Sequence, residues 1–105
     1  MIKPGVDLRG LQPQMAVAYT ICSTIYARYG TRCVITSGSD GTHGPNSLHY
    51  VGKALDLRTH TLPGIQVPLV FKEIQEALGE QFDCINEPTH VHIEFDPKES
   101  KKEEA

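Results

Sequence analysis

Four of the five histidines in this 105-residue chain fall in two short stretches. One runs from His43 through Ser47-Leu48-His49-Tyr50-Val51-Gly52-Lys53-Ala54-Leu55-Asp56, and the other is His90-Val91-His92-Ile93-Glu94. Along a β-strand successive side chains point to opposite faces, so His90, His92 and Glu94 share one face while Val91, Ile93 and Phe95 share the other. The same alternation sets Ala54, Asp56 and Arg58 against Leu55 and Leu57. If the polar faces of both strands lie on one side of a sheet, imidazoles and a carboxylate converge there. That donor set suits a borderline-soft ion such as zinc, and His, Asp and His leave one coordination position open. An ion with an open position lowers the pKa of bound water to about 7 and polarises a carbonyl, so hydrolysis is the expected chemistry. A carboxylate must then accept the water proton. Glu87, just ahead of the His-x-His run, is the best placed in sequence, and Glu94 is second. Spacing alone leaves open whether both His90 and His92 reach the ion, since side chains two apart on a strand can converge on one point.

The elements that must position these residues can be read from periodicity. From Pro13 to Tyr29, Ala18, Ile21, Cys22, Ile25, Tyr26 and Tyr29 recur at helical spacing, with Pro13 tolerated in the first turn and Gly30 placed to end the helix. Arg32 to Ser37 is rich in β-formers and runs into a Gly- and Asp-containing loop up to Asn46, which predicts a strand feeding a long loop. Lys53 to Thr59 alternates as a half-buried strand. Val70, Phe71, Ile74, Ala77 and Leu78 then predict a second helix ending at Gly79. Phe82 to Asn86 and His90 to Phe95, separated by Glu87-Pro88-Thr89, read as a terminal strand pair. The expected class is α+β: a small, mostly antiparallel sheet with helices packed on one face. One domain over residues 1–95 is expected, followed by a solvated tail over 96–105 in which seven of ten residues are charged.

Composition narrows the function classes. Ten Lys plus Arg against thirteen Asp plus Glu give a net charge of −3 and a pI near 5.9, which offers no basic footprint for nucleic acid. The three cysteines, Cys22, Cys33 and Cys84, are odd in number and contain no C-x-x-C pair, so they read as small apolar residues rather than disulfides or zinc ligands. No stretch approaches the length that spans a bilayer, and the start of the chain lacks the apolar core of a secretory signal. The expectation is a monomer made in the cytoplasm without membrane insertion. Any action in the periplasm or cell wall would depend on another route of release.

Ser47 to Asp56 resembles the S-x-H-x-x-G-x-A-x-D signature of the zinc D-Ala-D-Ala peptidases of the M15 type, and is also similar to the matching segment of the Hedgehog amino-terminal signalling domain. His90-Val91-His92 resembles the H-x-H that closes the site in that superfamily, and the order of elements from about Pro13 to Phe95 is similar as well. The resemblance implies a Hedgehog/DD-peptidase-like fold holding one Zn2+ per chain, with His49, Asp56 and His92 as its ligands. It implies catalytic roles for Glu87, as the acidic base, and His90, as the histidine that stabilises the developing oxyanion. His43 and Ser47 would lie around the ligands or against the substrate. The implied activity is hydrolysis of an amide bond in peptidoglycan stem peptides, as in an endolysin or a DD-peptidase. The alternative it carries is a Hedgehog-like zinc module that binds a partner without cleaving it. Thr36 to Asp40 lacks the arginine with which many of these peptidases grip a terminal carboxylate, leaving Arg58 and Lys53 as the nearby cations. Gly52 and Ala54 are expected to let the His49 and Asp56 backbones approach each other.

Overall fold

A computed structural model describes residues 1–39, 49 and 52–97. Helix α1 spans Pro13–Arg28 with its proline in the first turn, where a missing N–H costs nothing. Its inner side buries Met15, Ala18, Cys22, Ile25 and Tyr26, whereas Ile21 and Tyr29 are only half-buried. On the outer side the Thr20 and Thr24 hydroxyls donate to the Ala16 and Thr20 carbonyls at 3.0 Å. Helix α2, Val67–Leu78, follows a 3-10 turn at Gly64–Gln66 and buries Val70, Ile74 and Leu78. Phe71 is half-buried and Ala77 faces solvent, so the buried stripe is narrower than the sequence predicts.

Four strands, β1 (Ile35–Ser37), β2 (Ala54–Arg58), β3 (Phe82–Asn86) and β4 (His90–Phe95), form one sheet in the order β1-β2-β4-β3, and each pairing is antiparallel. A single parallel bridge from Ile2 to Ile35 adds the N-terminal segment at the β1 edge. The architecture is therefore α+β, as expected. Leu55, Leu57, Val91 and Ile93 project from the sheet into one buried cluster with the inner residues of both helices. Burying an aliphatic side chain of this size contributes about 1.5–3 kcal/mol, so this face is where the fold is held together. The cysteines belong to the same region: Cys22 and Cys33 are buried, and all three are free thiols. Burial pushes the Cys33 thiol up to about 12 and the Cys84 thiol to about 11, far from the thiolate that would bind metal or attack a substrate.

The first strand is shorter than the run Arg32 to Ser37 predicts. Cys33 and Val34 are buried; the Cys33 carbonyl is taken by the Met1 ammonium at 3.3 Å, while that of Val34 still accepts from the Arg58 amide of β2 at 2.9 Å. Ile35 in turn exchanges backbone bonds with Met1 and Lys3. A bulge at Thr36 then shifts the register, so that Ile35 lies opposite Leu57 but Ser37 lies opposite Asp56. At the far end, the Asp96 amide still donates to the Gln81 carbonyl at 2.8 Å, carrying the ladder one residue beyond Phe95. The rest of the expected tail, from residue 98, lies outside the described residues. Among the described residues, no helix is long and apolar enough to cross a membrane.

Candidate metal centre

The register of β2, β4 and β3 arranges the polar face of the sheet in rows. Asp56 pairs with His92, and His92 with Ile85; on one side Arg58 pairs with His90, and on the other Ala54 pairs with Glu94 and Glu94 with Asp83. His49, which lies between β1 and β2 in the chain, is buried against the Asp56–His92 row. Its Nδ1–H donates to the Gly38 carbonyl at 2.8 Å. A carbonyl can only accept, so this bond fixes the proton on Nδ1 and leaves the Nε2 lone pair facing inward.

Three donor atoms meet there. His49 Nε2 is 3.2 Å from His92 Nδ1 and 3.3 Å from Asp56 Oδ1, and His92 Nδ1 is 2.9 Å from the same oxygen. A tetrahedral ion with bonds of about 2.0–2.1 Å requires ligand atoms about 3.3–3.4 Å apart, so small adjustments accommodate it. The donor chemistry agrees with the spacing. Two lone-pair acceptors, His49 Nε2 and Asp56 Oδ1, are aimed at one ring nitrogen that can offer only one proton, whereas a cation at that point would satisfy all three atoms. His49, Asp56 and His92 thus form a group that can hold a metal ion, as the sequence places it.

Electrostatics tie the group together. Burial by itself would raise the Asp56 carboxyl, but the neighbouring His49 and His92 rings, helped by His90, outweigh it and hold Asp56 below the ordinary carboxylate range. His92 is held above the ordinary imidazole range, chiefly by its bond to Asp56; burial opposes this, and Glu94 adds to it from the other side of the ring.

The other expected site residues divide into three groups. His90 stands at the rim, with Nε2 3.7 Å from Asp56 Oδ1 and Nδ1 3.1 Å from the Thr89 hydroxyl. Glu87 follows β3, and its amide donates to the His90 carbonyl at 2.9 Å, which continues the ladder by one step and sets Glu87 opposite His90. Glu87 is half-buried and lines a shallow cavity of about 480 Å3 together with Thr59, Val67, Pro68, Asn86 and Pro88. His43 and Ser47 lie outside the described residues. Sequence reasoning missed Gly38, whose carbonyl orients His49; a backbone acceptor comes from any residue type and leaves no signature.

Gly52 makes the tight turn expected of it, its amide donating to the His49 carbonyl at 3.2 Å, and it is confined from a second side as well. Its φ is +74°, and a Cβ there would stand 2.0 Å from the Gly10 carbonyl oxygen. The residue is confined by the N-terminal segment rather than by the Asp56 backbone. Gln12 N–H also donates to the Gly52 carbonyl at 2.9 Å, and Ser39 N–H to that of Asp7 at 2.7 Å, so residues 7–12 brace both flanks of the segment carrying His49.

No protein-family model matches the chain and no curated protein matches it, so its reading rests on this geometry and on the two sequence motifs.

Proposed function

We propose that the protein is a monomeric zinc-dependent peptidase that hydrolyses an amide bond in peptidoglycan stem peptides. The observation that carries the reading is the meeting of His49 Nε2, Asp56 Oδ1 and His92 Nδ1 within 3.3 Å of one another, in a chain whose two motifs resemble those of M15-type peptidases. Two imidazoles and one carboxylate make up the donor set of an open, catalytic zinc site rather than a closed structural one. Zinc bound there would supply Lewis acidity and lower the pKa of coordinated water to about 7.

The chain's own groups supply the rest. The Glu87 carboxylate forms no hydrogen bond or ion pair among the described residues, and its place opposite His90 suits it to accept a proton from the attacking water. His90 stands beside the ligand group with Nε2 turned toward it, at 3.7 Å from Asp56 Oδ1, which suits that nitrogen to meet a carbonyl oxygen as it gains charge. Arg58, in register with His90, likewise has a guanidinium with no partner among the described residues and is the cation on this face placed to meet a stem-peptide carboxylate.

Digestion of purified muropeptides by the zinc-loaded chain, read by mass spectrometry, tests the proposal. Fragments differing by one added water, absent with chelator and restored by zinc, are the expected products. Arg58→Gln should raise KM more than it lowers kcat. Intact muropeptides after incubation with fully zinc-loaded protein would favour the Hedgehog-like binding module instead.

A further inference from the structure

Glu94 lies two residues beyond His92 on the same strand face, and its Oε1 is 2.7 Å from His92 Nε2. The opposite nitrogen of that ring, Nδ1, faces Asp56 Oδ1 at 2.9 Å. The imidazole therefore stands between the two carboxylates, and Glu94 is separated from the ligand atoms by the width of the ring. A carboxylate in that position is poorly placed to take a proton from water at the metal. It is well placed to hold the far N–H of a ligating histidine.

We propose that Glu94 is the positioning residue of the centre: it retains the proton on His92 Nε2, fixes the plane of the ring, and so commits Nδ1 to the ion. The role matters more for His92 than for His49. His49 is buried at 2 % exposure and is already fixed through Nδ1 by the Gly38 carbonyl, so it presents Nε2. His92 must present the other nitrogen, Nδ1, and its ring has greater exposure, with 16 % of the side chain accessible. A ring flipped about its χ2 axis, or carrying its proton on Nδ1, would turn a donor N–H or a carbon toward the site. Asp56 and Ile85 flank His92 across the sheet, but Asp56 meets the ring only at Nδ1, so the Glu94–His92 bond is what engages the far nitrogen. The two ligating histidines are thus set by different devices, a backbone carbonyl for one and a carboxylate on the same strand for the other.

This inference rests on reading His49, Asp56 and His92 as a metal centre, and the test separates the two claims. Zinc affinity of the full chain would be measured by competition with a chromophoric chelator for wild type, Glu94→Ala and Glu94→Gln. In parallel, the 15N signals of the His92 ring would be recorded with and without zinc. Glu94→Ala should weaken zinc binding by about 10–100-fold, with the far-ultraviolet circular dichroism unchanged. Glu94→Gln keeps an oxygen that can accept the same hydrogen bond and should recover the larger part of that loss. In zinc-loaded wild type the His92 proton should reside on Nε2 alone, and Glu94→Ala should shift the neutral metal-free ring toward the Nδ1–H tautomer, whose proton Asp56 accepts. Wild-type affinity in Glu94→Ala, or a Glu94→Gln protein as weak as Glu94→Ala, would overturn the role. Failure of wild type to take up zinc would instead bring down the metal centre, and the metal-free ring signals would still decide whether Glu94 sets the tautomer.

Discussion

Asp56 Oδ1 accepts from His92 at 2.9 Å, and that one bond is the main cause of the raised imidazole and one of the causes of the lowered carboxyl. The two shifts describe a shared interaction and are not added. A group whose folded pKa is raised contributes stability below its unfolded value, about 6.5 for histidine, and loses it as pH rises through the folded value. The metal-free protein should therefore melt at lower temperature as pH climbs above neutrality. Asp56 acts in the opposite sense: its contribution is present above about pH 4 and disappears only in strong acid. Zinc must displace the proton on His92 Nδ1, so zinc affinity should rise over the same alkaline window in which metal-free stability falls. Melting curves with and without zinc between about pH 5 and 9 check both directions, and a metal-free stability that is flat across that range would refute the coupling. The proposed chemistry separates from metal retention at neighbouring residues. Glu87→Gln should lower turnover by roughly two to four orders of magnitude and His90→Ala by about 10²-fold, each with zinc still bound, as metal analysis beside the kinetics would show. If His90→Ala releases zinc and His92→Ala does not, the ligand within the His-x-His run is the first histidine.

The sheet positions its polar face by simple alternation, and this is why so much of the site was legible in advance. Once β2 and β4 pair with Asp56 opposite His92, Leu55, Leu57, Val91 and Ile93 must all face the helices, and His90 and Glu94 must lie on either side of His92. The bounds of β3 and β4, the start of the first helix and the end of the second follow from local patterns of the same kind. What the patterns could not reveal were relations between distant backbones. The Thr36 bulge, the capture of Cys33 and Ile35 by the N-terminus, and the Gly38 carbonyl on His49 each depend on how loops meet rather than on residue type. Gly52 shows the limit clearly: its motif marks the turn it makes, but not the close approach of the Gly10 carbonyl from a different segment. The left-handed backbone at Gly52 costs an L-residue about 1–2 kcal/mol, and the contact with Gly10 adds to that. Gly52→Ala should thus destabilise the chain by about 2 kcal/mol or more and weaken zinc binding through His49, whose carbonyl accepts from the Gly52 amide at 3.2 Å. Urea denaturation and zinc competition on the same variant measure both, and a variant of wild-type stability would show that residues 7–12 do not brace the site.

A chain of 105 residues has a net stability of only about 5–15 kcal/mol, so a bound ion is a substantial fraction of the whole. At free zinc about a thousandfold above Kd, binding stabilises the folded state by about 4 kcal/mol. For a domain of about 100 residues each 1 kcal/mol shifts Tm by about 4–8 °C, so chelation should lower Tm by well over 10 °C. The hydrophobic side of the sheet would keep the fold together without the ion, while His49, held by Gly38 and the braced segment, would lose its third partner. The same centre supports the hydrolytic function, the positioning role of Glu94 and this stability effect. Calorimetric titration of the metal-free protein with zinc, on wild type and on His49→Ala, Asp56→Ala and His92→Ala, tests it most directly. One equivalent should bind tightly to wild type and most of that affinity should vanish in each variant; no uptake by wild type, or full uptake by any of the three variants, would contradict the metal centre described here.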